Sequence, residues 1–185
     1  MENDIQNIHP VQYYVFRVFT GKEKKYLEFA SRLLKDFTGR IIWPRRSLEI
    51  KKQGIKSEKI SSLYPGYLIW ETSEVVKKDV NQLRKIPLFL KFLRNNNDII
   101  PLVSKEREVF RQMILYGDIV GKSNVYFDDE NRIKVLSGPL KLLEGDIVKV
   151  DKRKKRAKVR LTLHGKSILI DLAFEVMENL SFIAV

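Results

Sequence analysis

The stretch Arg156–Leu163 constrains this chain more than any other. Ala157, Val159, Leu161 and Leu163 alternate with Arg156, Lys158, Arg160 and Thr162. Successive side chains of a strand point to opposite faces, so this run makes a strand with one apolar and one cationic face. Its surroundings read the same way. Residues 132–136, 146–150, 167–172 and 174–177 are short and apolar, separated by turn formers such as Ser137-Gly138-Pro139 and His164-Gly165-Lys166. Five short strands in about 50 residues predict a small β-barrel. A core this small is marginal on burial alone, although many domains of about 55–65 residues fold unaided.

Upstream of residue 117 the pattern is mixed. Residues 11–18 are rich in Tyr, Val and Phe and read as a buried strand. Tyr26, Leu27, Ala30, Leu33, Leu34 and Phe37 recur at helical spacing over 24–37, with Gly39 as the stop. A short strand at 41–43 follows. Residues 47–53 and 55–61 flank Gly54 like the arms of a polar hairpin. Residues 66–71 and 88–93 are further strands. Val76, Val80 and Leu83 mark one helix, and Val109, Phe110, Met113 and Ile114 another, started by Ser104 and ended by Gly117. The expected fold class is α+β: an N-terminal sandwich of helices on a mainly antiparallel sheet, followed by the five-stranded barrel. The expected organisation is a flexible arm over 1–10, a domain over 11–117, a linker over 118–130 carrying Asp128-Asp129-Glu130, and the barrel over 131–185.

Enzyme chemistry finds no foothold. With no cysteine among the 185 residues, disulfides, thiolate metal sites and cysteine nucleophiles are excluded. The two histidines, His9 and His164, fall in the expected arm and in a turn, so neither a triad nor a metal cage assembles, and no metal or cofactor is expected. Gly121-Lys122-Ser123 and Gly165-Lys166-Ser167 resemble the end of a phosphate-binding loop, but the glycine required five residues earlier is Tyr116 or Arg160. Asp128-Asp129-Glu130 reads as a solvated linker rather than a metal site. No apolar run reaches the length of a membrane span and no secretory leader is visible, so a cytoplasmic protein is expected.

Charge points to polyanions. The formal net charge is +12. Lys149, Lys152, Arg153, Lys154, Lys155, Arg156, Lys158 and Arg160 fall within twelve residues, against the one acid Asp151. Such a run can be a hairpin turn kept soluble by lysines. Here it continues onto the strand whose outward face carries Arg156, Lys158 and Arg160, and a cationic loop adjoining a flat cationic strand can follow a phosphate backbone. A second signal is Tyr64-Pro65-Gly66-Tyr67. It reads either as a tight loop entering a buried strand or, with Tyr13, Tyr14 and Phe19, as an aromatic protein-binding groove.

These residues carry a resemblance. Tyr13-Tyr14-Val15, Phe19-Thr20-Gly21, Trp43-Pro44-Arg45 and Leu63-Tyr64-Pro65-Gly66-Tyr67 resemble the N-terminal (NGN) domain of the NusG family of transcription factors. Lys134-Val135-Leu136-Ser137-Gly138-Pro139-Leu140, Glu144-Gly145 and Asp151 resemble its KOW domain, an SH3-like barrel. The resemblance spans about 11–179. The basic run 148–159 and Asp171-Leu172-Ala173-Phe174-Glu175-Val176 look most like the LoaP-type antiterminators of that family.

The resemblance implies a factor in transcription elongation and antitermination, working as a monomer. Its N-terminal domain would bind the clamp helices of the RNA polymerase largest subunit through Tyr13, Phe19, Tyr64, Pro65, Gly66 and Tyr67. A nascent RNA hairpin would recruit it through the eight basic KOW residues, and other elongation factors are candidate members of the complex. The family commonly has Phe where Tyr64 stands. His164 stands where general NusG proteins carry an exposed Phe that contacts ribosomal protein or the termination factor Rho. It is the position for a partner contact here, with a planar but polar ring. The alternatives are a general NusG factor without a dedicated RNA, and a ribosomal KOW protein needing no polymerase.

Overall fold

The computed structural model describes residues 10–93 and 99–177. The expected N-terminal arm, except for Pro10, and the last eight residues of the expected barrel lie outside them. Within them the chain forms two compact units. One gathers residues up to Trp43 and from Tyr64 to Val103; the other gathers Pro44–Leu63 and the chain from Ser104 onward. The units cross the boundaries expected from the sequence: the polar hairpin and residues 104–117 cluster with the barrel.

The first unit is a four-stranded sheet. Its strands are β1 (Gln12–Val18), β2 (Arg40–Ile42), β5 (Tyr67–Thr72) and β6 (Phe89–Phe92), in the spatial order β2-β5-β1-β6. All pairings are antiparallel. Two helices, α1 (Glu23–Leu33) and α2 (Lys77–Lys85), cover one face. That face presents Tyr14, Phe16 and Val18 from β1 with Leu68 and Trp70 from β5, packed on Tyr26 and Ala30 of α1 and on Val80 and Leu83 of α2. The Phe16 ring lies 5.4 Å from Tyr26, 5.8 Å from Phe89 and 5.9 Å from Phe92, spacings that suit aromatic pairs. The Tyr26 hydroxyl donates to the Leu83 carbonyl at 3.0 Å, and burial pushes this phenol well above its usual range.

Helix α1 ends four residues earlier than the periodicity predicts. Leu34 turns into extended backbone and Asp36 takes a φ of 45°. The reason is competition from α2. Its Gln82 side chain accepts from Lys35 N–H at 2.9 Å and donates to the Lys35 carbonyl at 3.1 Å, and its Asp79 carboxylate accepts from Thr38 N–H. Backbone groups that a further helical turn would have used are satisfied from the neighbouring helix instead.

The second unit holds two sheets and a helix. Strands β3 (Arg45–Lys52) and β4 (Ile55–Ser62) form the expected hairpin, with β7 (Ile119–Val120) parallel to β3 on its other side. Its loop is Gln53-Gly54, both with positive φ, the two-residue turn that matches strand twist. Helix α3 (Ser104–Met113) precedes β7. The barrel sheet has five strands: β8 (Ser123–Phe127), β9 (Ile133–Ser137), β10 (Ile147–Asp151), β11 (Arg156–Leu163) and β12 (Lys166–Val176), in the order β10-β11-β12-β8-β9. Strand β12 is eleven residues long and pairs with β11 over its first part and with β8 over its last, which curls the sheet.

Two expectations shift here. Strands β7 and β8 fall inside 118–130, the stretch expected to be linker. The two strands expected at 167–172 and 174–177 are one continuous β12. The alternation in β8 is real, since Ser123 and Val125 are fully buried, but Ser123 is polar and hides it. Its hydroxyl accepts from Leu140 N–H at 2.9 Å, which anchors the Ser137-Gly138-Pro139 turn. A side chain at Gly138, where φ is 91°, would come within 2.7 Å of the Ser123 Cα, so only glycine lets the turn press this close. The apolar row of β11 is as predicted: Ala157, Val159, Leu161 and Leu163 are all buried, with Val125, Val135, Ile170 and Leu172 among the other buried residues of the barrel. Among the described residues no helix is long and apolar enough to cross a membrane.

Candidate nucleic-acid interface

Strand pairing turns the linear basic run into a two-dimensional surface. Lys149 of β10 is paired with Lys158 of β11, and Lys158 in turn with Asp171 of β12. One row of the outer face is therefore Lys149–Lys158–Asp171. The next row is Asp151–Arg156, and the row on the other side is Arg160–Leu169. Two lysines directly opposite repel; Asp171 relieves them, with its carboxylate 3.4 Å from the Lys158 ammonium. Lys149, Lys154, Arg156 and Lys158 line a cleft of about 180 Å³ with Asp151 and Asp171 as its two acids.

The loop 152–155 that closes this cleft is ordered by its own residues. Asp151 accepts from Lys154 N–H at 2.9 Å, and Lys155 takes a φ of 51°. That backbone bond, with the charges of Lys154 and Arg153, holds the Asp151 carboxyl below the usual carboxylate range. The Lys152 ammonium sits 3.6 Å above the Phe127 ring and also donates to the Asn131 side chain. Arg153, Lys154 and Lys155 are exposed, as are Lys149 and Arg160; Arg156 and Lys158 are half-buried.

Arg156 is half-buried because it reaches the hairpin. Its guanidinium donates to the Glu49 carbonyl of β3, and Arg46 of β3 donates to the Asp171 carbonyl at 2.7 Å. With a two-residue loop, Lys52 and Ile55 form the first hydrogen-bonded pair, so the Glu49 carbonyl points away from β4 and is free for Arg156. Burial, partly offset by Asp171 and reinforced by Arg156, lowers the Arg46 guanidinium below its ordinary value. The Nε atoms of Arg46 and Arg156 are buried with no hydrogen-bond partner.

The eight cations are visible in the sequence; the contacts of Asp171 with Lys158, of Glu49 with Arg156 and of Arg46 with Asp171 are not. Asp171 had a signal. A two-residue loop at His164-Gly165 fixes the register of β11 on β12 and places residue 171 opposite residue 158. The contacts of Arg46 and Glu49 are tertiary and leave no trace in local pattern. His164 is the first loop residue, with a φ of 47°, and is half-buried; the following Gly165 N–H points to Glu106 of α3 at 3.4 Å. Asp128 of the acidic patch caps its own turn, accepting from Arg132 N–H at 2.8 Å, and Glu130 pairs with Arg132.

The aromatic set lies in the first unit. Tyr64-Pro65-Gly66-Tyr67 is a type II turn: Tyr67 N–H donates to the Tyr64 carbonyl at 3.0 Å and Gly66 has a φ of 84°. The Gly66 N–H donates to the Glu23 carboxylate at 2.6 Å, and its carbonyl accepts from Val18 N–H. Glu23 is itself buried, at the first residue of α1, where the helix favours negative charge. Tyr13 and Tyr67 share the sheet face turned away from α1 and α2, with Val15 and Ile69 between them. Exposure divides the set: Tyr13 and Tyr64 are each 5% exposed, Tyr67 is half-buried and Phe19 is 53% exposed.

Comparison with known proteins gives one consistent answer. Residues 11–111 match the family model described as NusG, transcription termination factor nusG. The chain is similar to the transcription termination/antitermination protein NusG of Borreliella burgdorferi, 24% identical over 91% of this chain and 98% of the relative. It is 26% identical to the protein of the same name from Rickettsia prowazekii, covering 96% and 98%. Among solved structures it resembles Thermotoga maritima NusG, described for its domain interaction, with a TM-score of 0.61, 22% identity and coverage of 89% and 94%.

Proposed function

The chain belongs to the NusG family, whose members are transcription factors and not enzymes, and on that premise we propose that it is an elongation and antitermination factor recruited by a nascent RNA hairpin. The observation that carries the RNA part is the outer face of β10, β11 and β12. Lys149, Arg156, Lys158 and Arg160 stand there in register beside the exposed loop 152–155, and the first three line, with Lys154, a cleft of about 180 Å³. This is the surface that the LoaP-type resemblance assigns to RNA. The barrel begins at β8, so the RNA-binding module takes in part of 118–130 as well as 131–177. The polymerase-binding module is the first unit, which narrows the expected 11–117 to 11–43 and 64–103, with Phe19, Pro65 and Tyr67 meeting the clamp helices and the buried Tyr13 and Tyr64 serving as their framework. Such a factor works in the cytoplasm of a bacterial cell.

A second reading is favoured by a specific observation. Lys158 is already paired with Asp171, and Arg156 with the Glu49 carbonyl, which suits a general NusG factor with only weak, sequence-indifferent RNA binding. The full-length similarity to relatives named termination/antitermination protein NusG is compatible with both.

The test is binding of the full chain to a panel of RNA hairpins and scrambled controls at about 0.15 M salt, where screening removes much of the non-specific attraction. A fragment starting at 131 would lack β8 and is not used. A preference of about tenfold, roughly 1.4 kcal/mol, supports hairpin recruitment. Equal weak binding throughout supports the general factor. For the polymerase part, Phe19→Ala with Tyr67→Ala, the two accessible rings of the set, weakens binding to the polymerase core; unchanged binding removes that assignment.

A further inference from the structure

The β3–β4 hairpin is a second cluster of cations that the basic-run reading did not use. Its two faces differ sharply. Alternation and register put Arg46, Leu48, Ile50 and Lys52 of β3 on one face with Ser61, Lys59, Ser57 and Ile55 of β4. That face has three cations and no acid. The other face carries Arg45, Ser47, Glu49 and Lys51 with Ser62, Ile60, Glu58 and Lys56. There Glu49 pairs with Lys56 at 3.3 Å and Glu58 accepts from Ser47, so the charge is largely spent.

The acid-free face is the one joined to the barrel. Arg46 lies on it and bonds the Asp171 carbonyl, beside the cleft lined by Lys158 and Arg156. Arg156 spans from the cleft to β3. Cations thus continue from the cleft through Arg156 and Arg46 onto the hairpin, where Lys59 and Lys52 are exposed on the same face. Nothing in the fold of the hairpin requires those two lysines, since neither has a carboxylate on its face. Two exposed ammonium groups with no acid on their face, continuous through Arg46 and Arg156 with a cationic cleft, suit an extended polyanion.

We propose that the nucleic-acid interface is composite, with the acid-free face of the β3–β4 hairpin forming a second wall on which the bound phosphodiester backbone runs from the barrel cleft past Arg156 and Arg46 to Lys59 and Lys52. This rests on the reading that the basic barrel face binds nucleic acid, and it adds the hairpin lysines to that site. The chemistry recognised is the phosphodiester chain, available from RNA or DNA.

The experiment is the salt dependence of binding by the full chain to an RNA stem–loop, and in parallel to a DNA hairpin of the same sequence. Three double variants are compared: Lys52→Gln with Lys59→Gln on the proposed wall, Lys51→Gln with Lys56→Gln on the opposite face, and Lys154→Gln with Lys158→Gln at the cleft. Each removes two charges. Neutralising one phosphate fewer reduces the slope of log K against log salt by about 0.7–0.9, so two fewer reduce it by about 1.4–1.8. The expected result is that drop for the wall pair and for the cleft pair, and a change below about 0.5 for the opposite-face pair. A drop seen only with RNA, or with both probes, supports the wall and identifies the strand type it holds. A drop for the cleft pair alone overturns the wall and leaves the barrel reading standing. Equal drops for both hairpin pairs overturn it too, since net charge rather than placement then decides. No drop at the cleft pair defeats the underlying reading and the wall with it.

Discussion

Removing the Glu23 side chain tests how the Tyr64–Tyr67 turn is held. Glu23 is 3% exposed and its carboxylate accepts from Gly66 N–H at 2.6 Å. Glu23→Ala leaves that N–H buried with no acceptor and takes a negative charge from the start of α1. An unsatisfied buried donor costs about 1–3 kcal/mol and the helix-end charge about 0.3–1, so the variant should lose about 2–3 kcal/mol. Glu23→Gln keeps an oxygen acceptor of nearly the same shape and should lose about 1 kcal/mol, the difference between a charged and a neutral acceptor. The assay is urea unfolding followed by tryptophan fluorescence. Both tryptophans, Trp43 and Trp70, belong to the first unit, so the signal reports that unit alone. With a urea slope of about 1–3 kcal/mol per M, Glu23→Ala should lower the midpoint by roughly 1–2 M. A shift below about 0.3 M, or equal shifts for the two variants, would refute the assignment of this hydrogen bond as the anchor of the turn.

Other outcomes follow from the same geometry. Gly138→Ala forces a Cβ to within 2.7 Å of the Ser123 backbone at a φ of 91°; it should destabilise the barrel by about 2–4 kcal/mol, read as reduced amide protection in β8 and β9 by hydrogen exchange. Asp128 and Asp151 both titrate below the ordinary aspartate value, each chiefly through a backbone N–H, from Arg132 and Lys154 respectively. A depressed carboxylate stabilises the fold above its unfolded pKa and loses that contribution as pH falls through the folded one. The two turns should therefore hold down to about pH 3.9 and loosen below it, and carboxyl-carbon NMR titrations with midpoints at or above that value would contradict this.

The sequence was most legible where burial on one side forces alternation. In β11 the apolar and charged rows could be read directly, because a one-residue slip would turn Ala157, Val159, Leu161 and Leu163 to solvent. Strand β8 was not legible, because its innermost residue is Ser123 and its entrance, Gly121-Lys122, looks like a turn. Helix α1 was over-extended because Leu34 and Phe37 keep the period while Asp79 and Gln82 of α2 compete for the backbone. At the interface the cations were visible but their arrangement was not. Asp171 could have been placed by counting from the His164-Gly165 loop. The Arg156–Glu49 and Arg46–Asp171 contacts arise only when a hairpin far earlier in the chain is folded against the barrel. In the aromatic set, periodicity put Tyr13 on a strand but could not tell a buried face from a free one.

The parallel pairing of β8 with the end of β12 has a consequence for how the barrel comes into being. Phe174, Glu175 and Val176 are partnered with Ser123, Asn124 and Val125, so the first and last strands of the sheet are neighbours. Strands β10, β11 and the start of β12 form a meander whose contacts are local and can assemble as soon as they are synthesised. Strand β8 has no such option toward β12. Its β12 partner is the last part of the sheet to be made, and closing that loop of roughly 50 residues carries a chain-entropy cost that local hairpins do not. The cationic face of β10, β11 and β12 therefore needs only local contacts to form, and the closing of β8 onto β12 completes the barrel behind it.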